Sequence, residues 1–285
     1  MGHRSPRIQS HHSGCDARGG HALHLHASSG LLEGCMMEAR MIMHPSDAKA
    51  IETLRSLKGF DTLTRLAMEY GYERLIRGEN LGEMVHVTND NFPKVYKPFR
   101  EVVYSVGIAM PEFYIYNDPV MNAYTYGDTE PFVAISSSVV EKLNPDELKS
   151  VMAHECGHIL CRHTLYNTML AILINTSFTL ALLSESLLMP IYAGLRYWSR
   201  CSEFSADRCA AAVVGERTFQ MENLKMTCGL AEVQGSPYQL VEQAREYEQH
   251  RTGSLWDRAQ QTLRTLFNTH PQSCQRALEI DRWKI

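Results

Sequence analysis

His154-Glu155-Cys156-Gly157-His158 is an H-E-x-x-H run. On a helix the two histidines fall about 40° apart on one face, one turn apart, so two imidazoles can meet one metal ion with a carboxylate beside them. This is the arrangement of a catalytic zinc site. His154 and His158 are the candidate ligands, and Glu155, too short and wrongly placed to join them, is free to act as general base. Catalytic zinc takes three protein ligands and keeps a fourth position for water, so a further ligand is needed. The extended pattern with a third histidine is absent, because Cys161 and Thr164 stand where its glycine and histidine would be. His163, one residue short of that position, projects about 180° from His154 on a continued helix and reads as a helix-surface residue.

Arg200, Glu203 and Asp207 recur at i, i+3 and i+7 within a helical pattern over 192–214. Glu203 is the candidate third ligand. Asp207, one turn on, is placed to accept the free ring N–H of a ligand histidine, and Arg200 to pair with either acid. Taken alone, this charge pattern also reads as a solvated helix face.

The elements that must position these groups are legible around them. Asn144-Pro145-Asp146-Glu147 supplies an N-cap, a proline at the first helical position, early acids and a glutamate three after the cap, so a helix starts near 145 with the motif well inside it. Before it, aromatic and β-branched content predicts short strands at 113–116, 122–127 and 132–136, separated by Asn117-Asp118-Pro119 and by a Gly-Asp turn. Residues 85–87 are a further strand candidate. Apolar spacing predicts helices over 48–57, 63–75, 93–106, 219–230, 237–250, 255–267 and 274–283. The expected class is α+β: mostly helical, with a small antiparallel β-meander beside the H-E-x-x-H helix.

The chain has 285 residues, 44% hydrophobic and 21% charged, enough apolar material for a large core. Its net charge of −4 creates no field that would gather nucleic acid or an anionic membrane, and nucleic-acid binding is not expected. The eight cysteines include no C-x-x-C pair and read as reduced thiols. Cys156 points away from the ligand face and suits packing, while Cys161 lies nearer that face and stays open as an exception. Residues 1–35 hold six histidines among Gly and Ser. They read as a disordered tail, taken here to residue 43 and set aside as an upstream start or added sequence, leaving 44–285 as one domain.

Residues 164–184 carry no formal charge, which raises a membrane span. A single crossing would carry the chain away from the metal. The dozen residues at 187–198, broken by Pro190, are too few for a return that needs roughly 17–25. A helical hairpin, buried or lying on a surface, is expected instead, with a cytoplasmic location and at most peripheral membrane contact.

Taken together, Asn144-Pro145-Asp146-Glu147-Leu148, His154-Glu155-Cys156-Gly157-His158, Glu203-Phe204-Ser205-Ala206-Asp207 and Thr269-His270-Pro271 with Arg276 resemble the HtpX and CAAX prenyl protease type of zinc metallopeptidase, family forty-eight of the metallopeptidases. The likeness spans roughly 90–282 and implies a zincin-like (gluzincin) fold, one Zn2+ per chain on His154, His158 and Glu203, and a polypeptide substrate. It implies too that Asn122-Ala123-Tyr124 belongs to an edge strand along which an extended substrate adds. His270 is transferred in two roles, assistance to the reacting carbonyl or capping of the metal, with a turn-buttressing role open beside them. Many relatives carry membrane helices. This chain looks like a soluble minimal version, so prenyl-protein cleavage is not carried over. The reaction implied is endopeptidase hydrolysis by zinc-bound water with Glu155 as base. A latent zinc-site protein acting as a binding or chaperone-like module is the alternative, and a non-peptidase metal hydrolase a third.

Overall fold

The computed structural model describes residues 37–60, 62–64, 72–175, 188–251 and 270–283. In chain order the elements are α1 (Ala39–Ile42), α2 (Pro45–Arg55), α3 (Tyr72–Glu83), β1 (Val85–His86), α4 (Pro93–Val106), β2 (Glu112–Tyr116), β3 (Ala123–Tyr126), β4 (Phe132–Ser136) and α5 (Ser137–Lys142). They continue with α6 (Pro145–Leu160), α7 (Thr164–Asn175), α8 (Leu188–Val214), α9 (Glu216–Cys228), α10 (Gln239–Arg251) and α11 (Ser273–Arg282). The class is mostly helical with one small sheet, as expected.

The sheet is mixed, which corrects the expected antiparallel meander. Its order is β1-β2-β4-β3: β2 and β4 run parallel with Phe113 opposite Val133, whereas β3 pairs antiparallel with β4, Ala123 opposite Ile135. The segment 117–122, with Pro119, is a crossing loop rather than a hairpin turn, so it carries β3 past the place that β4 later fills. β4 is buried at all five positions, as suits a central strand with neighbours on both sides. β3 is left at the edge, and among the described residues no strand pairs with its outer side.

α6 starts as its sequence dictates. Asn144 Oδ1 accepts from the Asp146 and Glu147 N–H groups at 3.0 Å each, and Glu147 Oε2 accepts from the Asn144 N–H at 2.9 Å. This capping box satisfies backbone donors that would otherwise be orphaned. From Glu147 onward most of α6 is buried on every side, so the motif lies in the interior of the molecule. One core packs α4 (Phe99, Val102) and the sheet (Phe113, Ile135) against α6 (Met152, Cys156) and α8 (Cys209). Each fully buried large side chain there contributes roughly 1.5–3 kcal/mol. A second cluster joins α2, α7 and α8 through Leu54, Met169, Leu195 and Trp198, and a third joins α9, α10 and α11 through Leu224, Val241 and Ala277.

α6 and α8 approach closely at Gly157. A Cβ there would lie 2.7 Å from Cys209 Cβ and 3.1 Å from Ala206 Cα, so the glycine inside the motif permits the contact that brings Glu203 to the histidines.

The described residues belong to one compact unit, Met36–Ile285. The expected tail boundary at 43 moves back accordingly: α1 lies before it, and Ile42 is 1% exposed in the main core. Of the stretch raised as a membrane span, α7 holds 164–175, and 176–187 lie outside the described residues, as do the expected helix at 255–267 and most of the one at 63–75. Among the described residues no helix is long and apolar enough to cross a membrane.

Candidate metal centre

Two helices bring the candidate ligands together. His154 and His158 extend from α6 with ring centroids 4.9 Å apart, and Glu203 meets them from α8. His154 Nε2 lies 3.5 Å from Glu203 Oε2 and His158 Nε2 lies 3.4 Å from Glu203 Oε1. All three residues are buried, and one ligand atom from each falls within 4.8 Å of the others. A tetrahedral zinc ion with bonds of about 2.1 Å has ligand atoms about 3.4 Å apart, so the donor set and its spacing fit such an ion. Glu203 Oε2 is buried without an aligned hydrogen-bond donor, as a carboxylate kept for a metal would be; its near neighbour, His270 Nδ1 at 2.8 Å, is in contact but off-line.

The groups behind the candidate ligands fix their orientation. His154 Nδ1 sits 2.9 Å from Asp207 Oδ1, which turns its Nε2 toward Glu203. Asp207 is itself held by Arg276 of α11, whose Nε donates to Oδ2 at 2.9 Å. Sequence spacing put Arg200 forward for this role; its guanidinium lies over the Tyr197 ring, 5.9 Å from the centroid. Arg276 comes from a distant helix, which explains why local spacing on α8 could not reveal it.

His163 is the larger revision. Expected on the surface, it is 2% exposed and its Nδ1 lies 2.9 Å from His158 Nδ1. The helical projection fails because α6 ends at Leu160. Arg162 takes the left-handed conformation, φ 57°, and the His163 N–H donates to the His158 carbonyl at 2.9 Å, folding the chain back on itself. Cys161, kept open as a ligand, is buried in the main core outside the ligand cluster, and burial pushes its thiol up to about 12.

Electrostatics follow from burial set against charge. Desolvation works to raise the Glu203 carboxyl, but His270, His154 and His158 hold it well below the usual range. Desolvation likewise opposes a charged His154 ring, yet Asp207 and Glu203 lift it to about 10. For His158 burial wins, and its pKa falls. Desolvation also works against the Asp207 carboxylate, but Arg276 and His154 hold its pKa down, so Glu203 and Asp207 are both anionic.

Two cavities flank the centre, of about 260 and 210 Å³. They share Asn122, Ala123, His154, Glu155, Glu203 and His270, so the space runs along the edge strand on both sides of the ligands. Tyr124 lines only the first. Glu222, which sequence reading passed over, lines the second, is buried and accepts from Ser150 Oγ at 3.2 Å.

The chain is similar to known metallopeptidases and proteases. A plastoglobule-localized metallopeptidase 48 of Arabidopsis thaliana is 28% identical over 254 residues, covering 87% of this chain and 73% of its own length. Protease HtpX homologs of Helicobacter acinonychis and Polynucleobacter necessarius are 29% and 28% identical, over 60% and 66% of this chain and 60% and 72% of their own lengths. Residues 89–284, which carry both halves of the centre, match the description of Peptidase family M48. The chain is a member of Peptidase family M48, a zinc metallopeptidase family.

Proposed function

We propose that the chain is a zinc-dependent endopeptidase whose single Zn2+ is held by His154, His158 and Glu203. The observation that carries this reading is the convergence of those buried groups, drawn from two helices, between two cavities that continue along an edge strand. A zinc ion held there supplies an electrophile for the scissile carbonyl and a water acidified to a pKa of about 7.

The remaining work falls to the chain. An extended polypeptide adds to β3 as a further strand, with Asn122, Ala123 and Tyr124 fixing its register over the centre. Glu155, buried and lining both cavities, takes the proton of the attacking water and delivers it to the leaving amine. His270 is 57% exposed at the same place, where its ring can donate to the carbonyl oxygen as negative charge develops. Asp207 with Arg276 keeps His154 in its ligating orientation.

Release of acid-soluble peptides from an unfolded protein such as casein tests the reading. Activity abolished by a chelator and restored by zinc supports it. Zinc-loaded protein that binds casein and releases no peptide would establish the closed-site binding module instead.

A further inference from the structure

His163 and Asp47 have no part in the reaction above, yet both are among the most buried polar groups of the chain, at 2% and 1% exposure. We propose that Asp47 and His163 form an orienting relay behind His158, which makes helix α2 a structural part of the metal centre. The proposal rests on the reading of His158 as a metal ligand.

The atoms dictate the order of the relay. An Nδ1 to Nδ1 contact of 2.9 Å between His158 and His163 requires one ring to donate and the other to accept. His158 turns its Nε2 toward Glu203, so as a neutral ligand it carries its proton on Nδ1 and donates to His163. His163 then carries its own proton on Nε2, which lies 2.9 Å from Asp47 Oδ2. That last contact is close but not aligned as a hydrogen bond, so the carboxylate acts on the ring mainly through its charge.

Asp47 is in turn fixed on α8. The Trp198 Nε1–H donates to its Oδ1 at 3.0 Å and the Ser205 hydroxyl to its Oδ2 at 2.6 Å. Edge-on packing against Trp198, centroids 5.5 Å apart, confines the His163 ring further. Each ligand histidine thus has a carboxylate behind it: Asp207 touches His154 directly, and Asp47 reaches His158 through a second imidazole. Asp47 lies before residue 89, outside the span that matches the family.

The test uses the full chain, with zinc affinity measured by competition with a chromophoric chelator and the visible spectrum of the cobalt(II) form as a reporter of ligand geometry. His163→Leu is expected to weaken zinc binding about 10–100-fold and to shift the cobalt bands. His163→Gln, which keeps an acceptor oxygen for His158, is expected to recover most of the affinity. Asp47→Asn removes the charge while keeping polar contacts to Trp198 and Ser205, and is expected to weaken binding several-fold; it carries the test if His163→Leu does not fold. Normal wild-type uptake with unchanged affinity and spectrum in the leucine variant, or in Asp47→Asn, would overturn the relay alone. Wild-type protein that takes up no zinc would overturn the metal-centre reading and the relay with it.

Discussion

At the scale of single residues, the candidate ligands were readable because helical spacing is a local property. His154, His158 and Glu203 each sit where periodicity within one helix puts them, and the structure brings them to one point. Groups that arrive by tertiary packing were not readable in the same way: Arg276 on Asp207, Asp47 beside His163, and His163 itself, whose direction depends on a left-handed residue at 162. Glu155 is the most exacting prediction at this scale. Glu155→Gln preserves the fold and the ligand set, so zinc content should stay at one per chain while the rate of casein cleavage falls on the order of 10²–10⁴-fold, the usual worth of a general base. Full activity in that variant would refute the assignment. Glu222 offers a pH test. Burial raises its carboxyl to about 7 from an ordinary 4.5, so between those values the folded chain holds a proton that the unfolded chain has lost. Its contribution to stability therefore declines as pH rises through that window and levels off above it. In thermal unfolding, the melting temperature of Glu222→Gln relative to wild type should rise between about pH 5 and about pH 8. An offset that does not change with pH would contradict the burial argument.

At the scale of elements, the motif helix was legible down to its cap because Asn144, Pro145 and Glu147 act within one turn. The strands were legible as strands, but their partners were not. Alternation and turn residues locate β2, β3 and β4, whereas the parallel pairing of β2 with β4 depends on where the 117–122 loop lands in three dimensions. Burial of β4 at every position is the signal that suits a central strand, and its short apolar run, Phe132-Val133-Ala134-Ile135, already hinted at it. The contact between α6 and α8 gives this scale its prediction. Gly157→Ala drives a methyl group into Cys209 and the α8 backbone at Ala206, and neither is the free end of a flexible chain. Overpacking of this kind costs about 1–3 kcal/mol. Because α8 carries Glu203, zinc affinity should fall together with the unfolding midpoint in denaturant. Wild-type affinity at a lowered midpoint would show that the helix contact and the ligand geometry are independent.

At the scale of the whole molecule, most of the described elements serve to hold two helices in register beneath an edge strand. α4 and the sheet support α6 from one side, α2 and α7 pack on α8, and α11 returns from the far end of the chain to place Arg276 on Asp207. Composition and charge indicated a globular chain without a nucleic-acid field, but not this division of labour, since contacts between distant segments leave no local trace. The central claim is that one metal ion joins α6 and α8. X-ray absorption at the zinc edge of the purified protein reads it most directly: the prediction is nitrogen and oxygen ligands only, at about 2.0–2.2 Å, with the outer-shell scattering of two imidazoles. A sulfur shell at about 2.3 Å would move the ion to the cysteines and contradict the account.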